Sequence, residues 1–88
     1  MGKRKYPPLK HREVRSILTA LGFTEKRQAG TSHAQWERPA DNEHARAIVT
    51  VGDYPEFDER LIKSMISQST FDRQKFYGAT PSTAKKIR

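Results

Sequence analysis

Ser32-His33-Ala34-Gln35-Trp36-Glu37-Arg38-Pro39 is the stretch on which the architecture turns. Residues His33 to Arg38 read as a short strand, ended by Pro39, which has no backbone donor to offer a ladder. Successive side chains of a strand point to opposite faces. Trp36 is the residue most in need of burial, and Ala34 shares its face. His33, Gln35 and Glu37 then project from the opposite, uncovered face. This parity places an imidazole on an open sheet surface. It stands next to a turn, Gly30-Thr31-Ser32, and beside a strand carrying Lys26 and Arg27.

Outward from this strand, Phe23 to Ala29 reads as a weaker strand, charged rather than β-branched. Ala45 to Val51 is the strongest, with Ile48-Val49-Thr50-Val51 at its centre and Gly52 as its breaker. Before the strands, Val14, Ile17, Leu18 and Leu21 recur at i, i+3, i+4 and i+7, one apolar stripe of a helix over about 10–21. Gly22 closes that helix; its entry lacks Ser, Thr, Asp or Asn. A second helix begins near Pro55–Asp58, with Asp58 as cap and Leu61, Ile62, Met65 and Ile66 as its stripe. Ser69 or Thr70 restarts a short helix to about Tyr77, stopped by Gly78. The order helix, three strands, helix predicts an α+β two-layer sandwich. It has an antiparallel three-stranded sheet with both helices on one face and the other face left to solvent or a ligand.

The charge distribution says what that face meets. The 88 residues hold 17 Lys+Arg against 10 Asp+Glu, a net charge of +7, which favours a polyanionic partner, nucleic acid first. Residues 1–40 carry net +6, residues 41–72 net −4, and residues 73–88 net +5. The basic ends read as a leader (1–8) and a flexible basic tail (79–88) around one domain (9–78). The acidic stretch Asp53, Glu56, Asp58, Glu59 reads first as helix capping. With no cysteine there are no disulfides, thiolate zinc sites or thiol nucleophiles. No pair of histidines has metal-ligand spacing, and no phosphate-cradling glycine loop or nucleophile elbow occurs; no metal or other cofactor is expected. No apolar run approaches the ~18–20 residues of a membrane span and no signal peptide is visible, so the expected setting is cytoplasmic.

An imidazole titrates near pH ~6.5 when unperturbed, so His33 can exchange protons at neutral pH facing a bound polyanion. Lys26, Arg27 or Arg38 would neutralise a phosphate beside it. The plainer alternative is an exposed strand histidine with a local hydrogen bond. His11 and His44 read as solvated.

Leu21-Gly22-Phe23, then Arg27-Gln28-Ala29-Gly30-Thr31-Ser32-His33, then Trp36, make residues 9 to about 77 resemble the HicA family of bacterial toxins. The resemblance implies a fold like that of double-stranded-RNA-binding domains. It also implies metal-independent mRNA endonuclease activity with His33 as the single catalytic histidine, and a HicB-type antitoxin partner. Gly30 and Thr31 become the positioning turn, and Lys26, Arg27, Ser32, Gln35 and Arg38 the RNA-contact candidates. The sequence departs from the family where many members carry Pro and His after the third strand; here it reads Gly52-Asp53-Tyr54. The other reading is a non-catalytic RNA-binding module of the same fold, recognising duplex shape and 2′-OH groups. The lysine pair Lys85-Lys86 falls after the last helix rather than at its start, which counts against it.

Overall fold

The computed structural model describes residues 4–27 and 33–88. The elements run β1 (Leu9–Lys10), α1 (His11–Ala20), β2 (Thr24–Arg27), β3 (Ala34–Arg38), β4 (Ala47–Val51), β5 (Glu56–Phe57), α2 (Glu59–Ser69), α3 (Arg73–Tyr77) and α4 (Pro81–Ala84). A 3₁₀ turn follows at Lys85–Ile87. The α+β order expected from periodicity is present, and β2-β3-β4 form an antiparallel three-stranded sheet. The short strands β1 and β5 make a separate ladder, Leu9 opposite Phe57 and Lys10 opposite Glu56. That ladder ties the entry of α1 to the entry of α2. Two-residue strands have no periodicity to read, which is why the pattern does not announce them.

Each helix end has an identifiable cause. The Glu13 carboxylate accepts the Lys10 N–H at 2.8 Å, so the residue three places into α1 supplies the cap that its entry lacks. At the far end Gly22 takes φ +95. The Phe23 N–H then bonds Leu18 O and the Gly22 N–H bonds Thr19 O, the double closure of a Schellman motif. Asp58 caps α2 by accepting the Leu61 N–H at 3.1 Å. The short helix α3 starts not at Ser69 or Thr70 but after Asp72, whose carboxylate accepts the Lys75 N–H at 2.7 Å. Thr70 instead ends α2 in the left-handed conformation, φ 68.

One core lies on a single face of the sheet. Trp36, Ala47, Val49 and Val51 meet Val14, Ile17 and Leu18 of α1 and Ile62, Met65 and Ile66 of α2. At the outer edge of β4 the Thr50 N–H donates to the Gln68 side chain at 2.9 Å, so α2 occupies a ladder position that would otherwise invite another strand.

Residues 79–88, expected to form a flexible basic tail, are folded instead. Thr80 caps α4 with Pro81 at its first position. Thr83 is fully buried and donates to Tyr77 O at 2.6 Å. Ile87 packs against the core. The leader is held by α3 and by this segment. Lys5 O accepts from Arg73 at 3.0 Å, Pro7 O accepts from the Tyr77 hydroxyl at 2.7 Å, and Pro8 O accepts from the Lys86 ammonium at 3.5 Å. Lys86 also lies 3.6 Å from Glu13. The Tyr6 ring takes Lys63 and Arg73 over its face.

Burial pushes the Tyr77 phenol well above its ordinary range. The folded state therefore keeps its proton above pH ~10, where the unfolded chain releases it, and stability falls as pH rises through that value. Tyr77→Phe is expected to cost about 1 kcal/mol at neutral pH, through the lost bond to Pro7 O. It should also flatten the fall in stability above pH ~10, which denaturant titrations across that range would show.

Candidate nucleic-acid interface

The register of the sheet assigns its two faces. Trp36 lies opposite Glu25 on β2 and Val49 on β4, and Ala34 opposite Val51; these belong to the helix side. Gln35 lies opposite Lys26 and Thr50, and Glu37 opposite Thr24 and Ile48; these make the uncovered side. Trp36 is 4% exposed, whereas Lys26 and Thr50 are exposed and Gln35 and Glu37 half-buried. The parity read from His33-Ala34-Gln35-Trp36 matches this register. His33 itself sits one residue before β3 and is exposed. The turn Gly30, Thr31 and Ser32 lies outside the described residues. Arg27 is described by its backbone, paired with Ala34.

Arg38 is not with this group. It shares parity with Trp36 and is 5% exposed on the helix side, at the end of β3 away from His33. Its guanidinium lies 5.6 Å from the Phe23 ring centroid and 5.2 Å from that of Phe71. One nitrogen donates to Ala45 O at 3.1 Å and reaches Thr70 Oγ1 at 3.4 Å; Asp41 stands 3.9 Å away. Nε and Nη1 are buried without a hydrogen-bond partner. The expectation that Arg38 meets a phosphate is corrected by its burial: two aromatic faces and an aliphatic stem make it a core cation.

The uncovered face has a cation that the sequence reading did not single out. Arg46, just before β4, is hydrogen-bonded to the Glu37 carboxylate across the sheet. That bond holds Glu37 below the usual carboxylate range, with a smaller pull from Lys26. Glu37 therefore stays charged to lower pH and offsets Arg46, and Lys26 lies opposite Gln35 as a further cation. The signal for Arg46 was its position at the mouth of the strongest strand, next to residues of alternating exposure. A second cationic surface lies along α1, where Arg12, Arg15, Ser16 and Thr19 border a shallow groove floored by Trp36. There Arg15 lies over the Trp36 ring at 5.8 Å and 3.5 Å from Glu25.

His11 and His44, expected to be solvated, have partners. His11 Nδ1 donates to Tyr54 O at 3.0 Å and its ring stacks on Phe57. His44 lies 3.5 Å from Asp41 and packs against Phe71. Asp41 accepts the N–H groups of Glu43 and His44, which hold its carboxyl below the usual range. In the acidic stretch, Asp58 caps α2 and Glu59 pairs with Lys63 at 3.2 Å, as the capping reading expects. Among the described residues no three His, Asp or Glu side chains gather as a metal site, and no helix is long and apolar enough to cross a membrane.

Comparison with known proteins adds one finding. No curated protein and no solved structure matches the chain. The family model for the HicA toxin of bacterial toxin–antitoxin pairs matches residues 11–70, from the start of α1 to the left-handed residue that ends α2. The three-stranded antiparallel sheet between two helices fits that family's fold, and α3, α4 and the 3₁₀ turn lie beyond the matched span. With more than half its length so matched, this chain belongs to the HicA toxin family.

Proposed function

We propose that the protein is an endoribonuclease toxin that cuts mRNA without a metal ion, with His33 as its proton-transfer group and a HicB-type antitoxin as its inhibitor. The observation that supports this reading is the exposed His33 one residue before β3, in the same strand parity as Gln35, which lies opposite Lys26 on the uncovered side. A ribose–phosphate chain lying on that face meets both a proton carrier and a cation. As base, the imidazole takes the 2′-OH proton while that oxygen attacks the adjacent phosphorus. As acid, it gives a proton to the departing 5′ oxygen. Lys26 offsets charge that builds on the phosphoryl oxygens. Arg27 and Ser32 remain contact candidates on the strand and turn next to it.

Cleavage of end-labelled mRNA by the purified protein in the presence of a chelator tests the proposal. Fragments are expected; RNA that is shifted but intact would mean a binding module instead. Because the contacts are to phosphates, affinity should fall on the order of tenfold or more between 50 and 200 mM salt. An affinity independent of salt would contradict the electrostatic part of the reading. Membership of a toxin–antitoxin family implies an antitoxin partner, and an antitoxin that covers the uncovered face should compete with RNA for it.

A further inference from the structure

We infer that the Tyr54 ring is a stacking platform for an unpaired nucleobase beside His33, so that the substrate is single-stranded where it is cut. The inference rests on the nuclease reading of this face. β4 ends at Val51, which lies opposite Ala34. Continued one step past the end of the ladder, the same register would set Gly52 opposite His33. Residues directly opposed on an antiparallel pair point to the same side, with Cβ positions about 4.5–5.5 Å apart. Gly52 has no side chain to place there, yet it is buried. The Tyr54 ring takes that space: a Cβ on Gly52 would come within 2.5 Å of Tyr54 Cε2 and 2.9 Å of Cδ2. The ring thus stands where a Gly52 side chain would be, the position that the extended register sets across from His33.

The ring is both open and fixed. At 45% exposure, Tyr54 is the large hydrophobic residue that the described surface leaves out of the core. Its ring packs T-shaped against that of Phe57, at 5.8 Å and 86°. Its carbonyl accepts from His11 Nδ1, and the next carbonyl, of Pro55, accepts the His11 N–H, both at 3.0 Å. With its backbone tied to His11 and its ring packed against Phe57, the half-exposed ring presents an apolar surface with little ordering cost on binding.

The chemistry that suits it is a base, not a phosphate. Asp53 and Glu56 flank Tyr54 in the chain and disfavour an anion. Any unpaired base offers a π-face, and stacking on an aromatic ring tolerates sequence. The phosphates then run toward Lys26, and the stacked base fixes the nucleotide whose ribose meets His33. Paired bases cannot splay onto the ring, so duplex RNA gains nothing from Tyr54.

The test uses the full chain with His33→Ala, which binds without cutting, and a labelled short single-stranded RNA of mixed sequence. Adding Tyr54→Ala should weaken binding ~10–100-fold, while Tyr54→Phe and Tyr54→Trp stay within about threefold of the parent, since both keep an aromatic face. The slope of affinity against salt should not change, because stacking releases no counterions. Affinity for a duplex of the same sequence should be indifferent to Tyr54. Equal affinity of the Ala variant and its parent, or a Phe variant as weak as Ala, would overturn the platform alone. So would an Ala variant that loses the antitoxin but keeps RNA, which would make the ring a protein contact. A parent that fails to bind RNA at all would overturn the nuclease reading beneath it.

Discussion

His33→Ala should lower RNA cleavage by ~10²–10⁴-fold while leaving the unfolding midpoint of the protein where it was. The size of the loss follows from removing a positioned proton carrier while the cationic and stacking contacts remain. The unchanged stability follows from exposure: His33 precedes β3 and lies outside the buried cluster of Trp36, Val49 and Val51. Binding of RNA by the variant should stay within a few-fold of the parent, so the loss appears in turnover rather than in affinity. Rates measured on RNA at saturating concentration, with melting curves on the same preparations, check both halves. Residual cutting near the parental rate would show that another group moves the proton. A large fall in the melting temperature would show that the imidazole serves the fold.

Arg38→Ala is expected to do the reverse: to lower stability by about 2–4 kcal/mol and leave RNA affinity unchanged at temperatures where the variant is folded. The guanidinium fills the space between the Phe23 and Phe71 rings, and its long stem is part of the packing. Truncation to Ala removes both and leaves the Ala45 carbonyl without its donor. Arg38→Met separates packing from charge. It refills the space with a flexible apolar chain and removes two buried nitrogens that have no hydrogen-bond partner, so it should recover most of the lost stability. Denaturant unfolding of the three proteins, together with RNA titrations, decides the matter. Weakened RNA binding with an undisturbed midpoint would return Arg38 to the nucleic-acid surface.

The two arginine and histidine cases show how far the residues themselves could be read. Trp36 fixes which parity of its strand is buried, and that one decision places Gln35 on the uncovered face and leads to the expectation that His33 points the same way. The same parity also buries Arg38, but a formal charge reads as surface unless aromatic partners such as Phe71, 33 residues away, are known to come together with it. The stripes Val14, Ile17, Leu18 and Ile62, Met65, Ile66 announce their helices because burial repeats with the helical period. The ladder of Leu9–Lys10 with Glu56–Phe57 has no such period; it exists through a contact between distant segments. The closing segment misleads by composition. Thr80, Pro81 and Thr83 look like loop chemistry, yet one caps, one starts a helix and one is buried against Tyr77. Arg46 had only its place at the mouth of the strongest strand as a signal, and Tyr54 had none, since its ring matters through its packing on Gly52 and Phe57.

The clasp between the leader and the closing helices also sets an order of events during synthesis. The carbonyls of Lys5, Pro7 and Pro8 wait for donors that lie 68 to 78 residues further along the chain. At ~5–20 residues per second, a ribosome takes roughly 4–15 s to cover that span. The sheet with its His33 face can assemble before the leader has anything to dock on. Docking of residues 5–8 therefore waits until α3 and Lys86 have emerged.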